Sequence, residues 1–210
     1  LSTKEVVDGH LSLLEKSSFV IKTIKKSVRK RRPYPPFTTS TLQQEASKRL
    51  GFTSKRTMVL AQQLYEGIAL GTDGTVGLIT YMRTDSANIA EAAQKEAQTY
   101  IHKRFGDKFT PKNPPIYHTK TKGAQEAHEA VRPTSVNRTP DKIKEFLGRD
   151  QLRLYQLIWN RFLASQMEDA IYETMTIDVE GKNQNDYLFR SSGSKNLFLG
   201  FLILYEDTKD

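Results

Sequence analysis

Tyr81 and Arg83 stand two positions apart in the run Gly77-Leu-Ile-Thr-Tyr-Met-Arg-Thr-Asp-Ser86. On an extended backbone side chains alternate between faces, so the phenol and the guanidinium share one. A phenol, with a pKa of about 10, attacks phosphorus poorly at neutral pH unless cations favour the phenolate and stabilise charge on the phosphate oxygens. Arginine suits that task through its permanent charge and forked donors. The plainer interpretation, a strand-end tyrosine hydrogen-bonded to structure, stays open on this pair alone. His128-Glu129 begins like a zinc-protease HExxH helix, but Arg132 occupies the second histidine position and cannot ligate zinc, so no metal site is assigned. The absence of cysteine excludes a thiol nucleophile, a cysteine zinc finger and a disulfide framework, and fits a reducing cytoplasm.

The 210 residues suffice for one sizeable core or two modest domains. A net charge of +8 favours a polyanionic partner, because Lys and Arg that neutralise phosphates release counterions. Seven cations from Lys22 to Arg32 run uninterrupted by acid up to Pro33, Pro35 and Pro36, which reads as a solvated basic linker with a DNA contact as the alternative. No apolar run approaches the roughly 20 residues that span a bilayer, and no leader pattern opens the chain, so a soluble protein is expected.

The elements that must position Tyr81 follow from periodicity. Val6, Val7, Leu11 and Leu14 predict a helix over 3–16, and Ser17 to Val28 a strand. Ser40, with Gln43 reaching back, predicts a capped helix carrying Leu42, Ala46 and Leu50 and ended by Gly51. A second helix from Ser54 to Gly67 aligns Met58, Ala61, Leu64, Tyr65 and Ile68, and a strand is expected from Val76 to Tyr81; that order resembles a winged helix. Thr84, Asp85 and Ser86 offer caps for a third helix bearing Ile89, Ala93, Ala97, Ile101 and Phe105. Further helices are expected from about Ala124 to before Pro133, from Asp141 to Leu147, and from Gln151 to Met167 with Leu154, Leu157, Ile158, Phe162 and Leu163 on one face. The period then shortens to two: Tyr172 to Val179 and Tyr187 to Arg190 predict strands about a turn at Gly181–Asn185, before a last apolar element at Leu197–Leu204.

The run Gly77 to Ser86 resembles the active-site signature of type IA DNA topoisomerases. Pro36-Phe-Thr-Thr-Ser-Thr-Leu-Gln-Gln44 and Gln125-Glu-Ala-His-Glu-Ala-Val-Arg-Pro133 resemble two further motifs of that family, in the same order. Leu13-Leu-Glu-Lys16, Leu154-Tyr-Gln-Leu-Ile-Trp159 and Arg190-Ser-Ser-Gly-Ser194 extend the similarity over most of the chain, and Met82 is closer to the bacterial topoisomerase I branch than to topoisomerase III, where proline commonly follows the tyrosine. The resemblance implies that Tyr81 attacks one DNA strand and becomes linked to its 5′ phosphate, that another strand passes the gap, and that reversal reseals the nick without ATP. It implies that Arg83 places the scissile phosphate and the tyrosine, and that His128 assists by hydrogen bonding near the phosphate. Residues expected to contact DNA are Arg83, Thr84, Ser40, Thr41 and Arg132, all within these motifs; helix packing and i to i+4 pairing account equally for Glu129 and Arg132.

The expected fold class is α+β, a mostly helical, winged-helix-like nucleophile domain at 37–168 inserted into a smaller β-containing arch domain made of 1–36 and 169–210. The family carries magnesium on a Toprim domain with Glu and Asp-x-Asp residues; this chain has no Asp-x-Asp cluster, so it is expected to hold no cofactor and, by itself, to leave DNA uncleaved. The expected partner is a single-stranded segment of negatively supercoiled DNA, with the protein monomeric, cytoplasmic and nucleoid-associated. The alternative is a non-catalytic, winged-helix-like DNA-binding module; a tyrosine recombinase is disfavoured because there the nucleophile follows its His and Arg partners.

Overall fold

Thr3 accepts a hydrogen bond from the Val6 amide and opens helix α1, Lys4–Glu15, which leads into the long strand β1, Ser18–Arg31. In this computed structural model, which describes residues 3–117, 129–182 and 186–208, α2 (Thr39–Leu50), α3 (Ser54–Glu66), β2 (Ile68–Ala69), β3 (Thr75–Val76), α4 (Glu91–Phe105), α5 (Pro140–Ile143) and α6 (Arg149–Ser165) follow. Strands β4 (Ala170–Lys182) and β5 (Asp186–Phe198) and a 3-10 segment, Gly200–Thr208, complete the described chain. It divides into two compact units, Leu1–Arg31 with Ala170–Leu199, and Arg32–Asp169 with Gly200–Asp210.

The smaller unit is a three-stranded antiparallel sheet in the order β1-β4-β5. Two strands alone are marginal in water, and the third gives β4 partners on both edges. Asp178, the buried charge at its centre, accepts from Arg190 Nε at 2.7 Å and from Thr23 Oγ1 at 3.0 Å, and the Arg190 bond first, with Thr23 behind it, holds its carboxyl below the usual carboxylate range. The register slips between Ile21 and Thr23, the mark of a β-bulge. β5 runs well past the expected Tyr187–Arg190, and Gly181 and Lys182 belong to β4 rather than to a turn; 183–185 lie outside the described residues. The apolar stretch at Leu197–Leu204 is split: its start ends β5 and the remainder, from Gly200, is 3-10 and part of the larger unit.

The larger unit is built on α6. Leu154, Ile158, Phe162 and Leu163 are at most 1% exposed, and each such side chain contributes roughly 1.5–3 kcal/mol by leaving water. Against them pack α2 and α3, which bury Leu42, Ala46, Ala61 and Leu64. Gly51 ends α2 at φ 71, a left-handed conformation that suits glycine. The antiparallel β2–β3 hairpin after α3 supplies a small wing. Met58 and Ile68 are half-buried and Tyr65 is exposed, so the buried stripe of α3 is narrower than its sequence suggests.

Several elements differ from expectation for identifiable reasons. The cap of α2 is Thr38, whose hydroxyl accepts from the Thr41 amide while Thr41 Oγ1 accepts from the Thr38 amide at 2.9 Å; Ser40 lies inside the helix. The strand expected at Val76–Tyr81 is only Thr75–Val76, with one bridge farther on between Ile79 and Pro133. Helix α4 starts at Glu91 rather than beside Thr84–Ser86, because Thr84 Oγ1 accepts from the Ser86 amide at 3.0 Å and Ser86 Oγ from the Asn88 amide at 3.1 Å, holding two successive side-chain turns. Of the helix expected from Ala124, residues 124–128 lie outside the described residues, and 129–132 are not helical: Val131 bridges Phe37. The Asp141–Leu147 helix is a short α5 followed by a 3-10 turn at Lys144–Phe146.

Candidate active site

Tyr81 lies in a segment without regular structure, held from both ends. On its N-terminal side the Leu78 amide donates to Leu64 O at 2.7 Å, and Leu78 O accepts from the Thr134 amide at 2.9 Å. Gly77 passes so close to the end of α3 that an added Cβ would lie 2.7 Å from Tyr65 O, which explains glycine at the entrance. Thr80 is tied to the segment 130–132: its amide donates to Arg132 O at 2.9 Å, its hydroxyl to Ala130 O at 2.7 Å, and the Arg132 amide donates to that hydroxyl at 3.0 Å.

Burial then alternates: Tyr81, Arg83 and Asp85 are exposed, whereas Met82, Thr84 and Ser86 are buried. The phenol and the guanidinium thus both face solvent, as the two-residue spacing predicts. Tyr81 is 50% exposed, and its ring meets that of Tyr65 edge-on with centroids 5.3 Å apart. Such a contact orients a ring without covering its hydroxyl. Helical periodicity puts Tyr65 on the apolar stripe of α3, and its place beside Tyr81 has no local sequence signal.

The remaining anticipated residues divide. Ser40 and Thr41 are exposed in the first turn of α2. Thr84 is buried, with its hydroxyl engaged by Ser86, so it supports the segment from beneath. Arg132 is only 12% exposed at its side chain; its Nη2 donates to Glu129 Oε2 at 2.7 Å and its Nη1 to Pro133 O at 3.0 Å. Its Nε is buried with no hydrogen-bond partner among the described residues. Glu129 in turn accepts from the Ala90 amide at 2.7 Å through its other oxygen, at the start of α4. The Glu129–Arg132 pair therefore bridges loop to helix end and is not a helical pairing. His128 lies outside the described residues.

One residue missed by sequence reasoning is Thr39, next to the anticipated Ser40 and Thr41. Its Oγ1 donates to Met82 O at 2.7 Å and accepts from the Thr84 amide at 2.8 Å, while its own amide donates to Thr84 O at 2.8 Å. Its position within the Pro36–Gln44 motif was the available signal. Among the described residues, no three His, Cys, Asp or Glu side chains converge as a metal site would require.

A half-exposed phenol beside an exposed guanidinium, on a backbone fixed at both ends, can present a nucleophile and a cation to a phosphodiester. The DNA topoisomerase family model matches residues 1–210. The structure of full-length topoisomerase I from Thermotoga maritima is similar, at 38% identity and a TM-score of 0.82, over 97% of this chain and 32% of that one. This chain thus spans about a third of that protein's length. On the family match across its whole length and on that shared structure, the chain belongs to the type IA DNA topoisomerases.

Proposed function

We infer that this chain is the nucleophile-bearing segment of an enzyme that relaxes negatively supercoiled DNA by transient cleavage of one strand. Tyr81 Oη attacks the phosphorus, the bond to the 3′ oxygen breaks, and the phenolic proton is lost as the departing 3′ oxygen gains one. The tyrosyl phosphodiester replaces the DNA phosphodiester, so the reverse attack by the 3′ hydroxyl reseals the strand without ATP. Arg83 holds the phosphate and stabilises charge gathering on its oxygens. Ser40 and Thr41 at the start of α2 and the half-buried Arg132 contribute contacts to the strand, and His128 hydrogen-bonds near the phosphate. Thr84 contributes through the backbone it supports.

Following the family resemblance, we place magnesium on the Glu and Asp-x-Asp residues of a Toprim domain outside this chain. On this reading the 210-residue chain alone does not relax DNA, and activity belongs to a longer polypeptide in the cytoplasm, acting as a monomer on single-stranded segments. The observation that carries the reading is the pairing of exposed Tyr81 and Arg83 on one immobilised segment.

The test is covalent trapping. A full-length topoisomerase polypeptide containing this chain, incubated with single-stranded DNA and then denatured, should retain DNA on Tyr81, and Tyr81→Phe should abolish that adduct because the ring stays and the hydroxyl goes. An adduct surviving in Tyr81→Phe overturns the assignment. A second reading, a non-catalytic winged-helix DNA-binding module, is favoured by the α2–α3 pair with its β2–β3 wing and by the +8 charge. It accounts for affinity but assigns no role to Tyr81, and it gives no denaturant-resistant adduct.

A further inference from the structure

The two peptide groups flanking Arg83 are both held by one hydroxyl. The carbonyl of the peptide before Arg83, Met82 O, accepts from Thr39 Oγ1 at 2.7 Å, and the amide of the peptide after it, on Thr84, donates to the same oxygen at 2.8 Å. The Thr39 amide closes the ring by donating to Thr84 O at 2.8 Å. A threonine hydroxyl can donate once and accept at its lone pairs, and both capacities are used here. With both flanking peptide planes fixed, the Cα–Cβ direction of Arg83 is fixed as well, since only two soft dihedrals separate those planes. The anchor is firm: Thr39 is the first residue of α2, directly after the Thr38 cap, and α2 packs on α6.

We propose that Thr39 is the positioning residue for Arg83, aiming the guanidinium at the phosphate that Tyr81 attacks. This rests on the roles proposed above for Tyr81 and Arg83. Thr39 itself acts through the backbone on either side of Arg83. Valine has nearly the same shape but offers neither donor nor acceptor, so it releases Met82 O and the Thr84 amide while leaving the helix start in place. Serine keeps the hydroxyl. Misplacing a catalytic group by about 1 Å can cost roughly 100-fold in rate, which sets the scale of the effect.

The experiment uses the full-length topoisomerase polypeptide containing this chain, with a single-stranded oligonucleotide. Single-turnover adduct formation should be slowed about 10- to 100-fold by Thr39→Val, with DNA affinity changed less than about 2-fold, and Thr39→Ser should restore the rate to within about 3-fold. The double variant Thr39→Val/Arg83→Ala should be no slower than Arg83→Ala alone, because Thr39 acts through Arg83. Wild-type rates in Thr39→Val, or losses that multiply with those of Arg83→Ala, would overturn the inference. A variant slowed only in proportion to its unfolded fraction, measured by circular dichroism, overturns it equally. Tyr81→Phe run in parallel separates the two levels. If it abolishes the adduct while Thr39→Val is unaffected, the positioning role alone fails; if the adduct persists in it, the proposed nucleophile fails and the inference falls with it.

Discussion

Arg83 makes no ion pair with any acid among the described residues at the distances that define one, while standing exposed between buried Met82 and Thr84. A cation presented in this way is suited to a partner that arrives from outside. Removing one oriented charge-stabilising group typically costs 100- to 1000-fold in rate, so Arg83→Ala should slow adduct formation by about that factor. Binding of single-stranded DNA should weaken far less, because one phosphate contact is a small part of the electrostatic total. Comparing single-turnover cleavage with equilibrium binding checks both, and equal losses in the two would remove Arg83 from the chemistry. The shared face of Tyr81 and Arg83 was legible because alternation in an extended segment is a local rule, whereas the roles expected of them came from the family resemblance of the surrounding motifs. Thr39 and Tyr65 were not: Thr39 matters only through partners 43 and 45 positions away, and no local pattern records such a pairing.

The start of α2 shows how competing hydroxyls defeat sequence reading. Thr38, Thr39, Ser40 and Thr41 can each cap a helix, and only the geometry selects Thr38. Thr38→Ala should therefore cost about 1 kcal/mol of stability, while Ser40→Ala should cost less than about 0.5 kcal/mol. Chemical denaturation of the two variants distinguishes them, and the reverse ranking would restore the cap to Ser40. Helices α2, α3 and α6 were recognisable because apolar residues recur at the helical period over several turns. The segment from Gly77 to Ala90 was misread for the opposite reason. Its Thr and Ser side chains bond to nearby backbone, and Thr80 bonds to the backbone of a loop fifty positions away, so apolar content alone suggests a strand and capping residues alone a helix.

Two tyrosines tie the interior of the larger unit together and tune its response to alkali. Tyr117 donates to Ser165 O at 2.8 Å, and burial, aided by Asp169, pushes its phenol up to about 12; burial also raises Tyr155, which donates to Arg138 O at 2.7 Å. A folded-state pKa above the unfolded one means stability that is complete below about pH 10 and declines as pH climbs toward 12. Burial also raises Tyr100 and Tyr205, so alkaline titration at the phenolate absorbance band should show Tyr117 and Tyr155 within a late-ionising group that titrates together with unfolding, and Tyr117→Phe should flatten the loss of stability in that window. Ionisation of all the tyrosines before any loss of structure would contradict this. The chain's connectivity also shapes how it folds. Arg31 and Ala170 are register partners across β1 and β4, yet all of residues 32–169 lie between them. Joining those strands across a disordered intervening chain would cost on the order of 4–5 kcal/mol in loop entropy. If the helical insert folds first, its two ends are already gathered and that penalty has been met within its own core. Collapse of the helices is then expected to precede and seed the sheet, so a mutation in α6 would delay β1–β4 pairing without touching either strand.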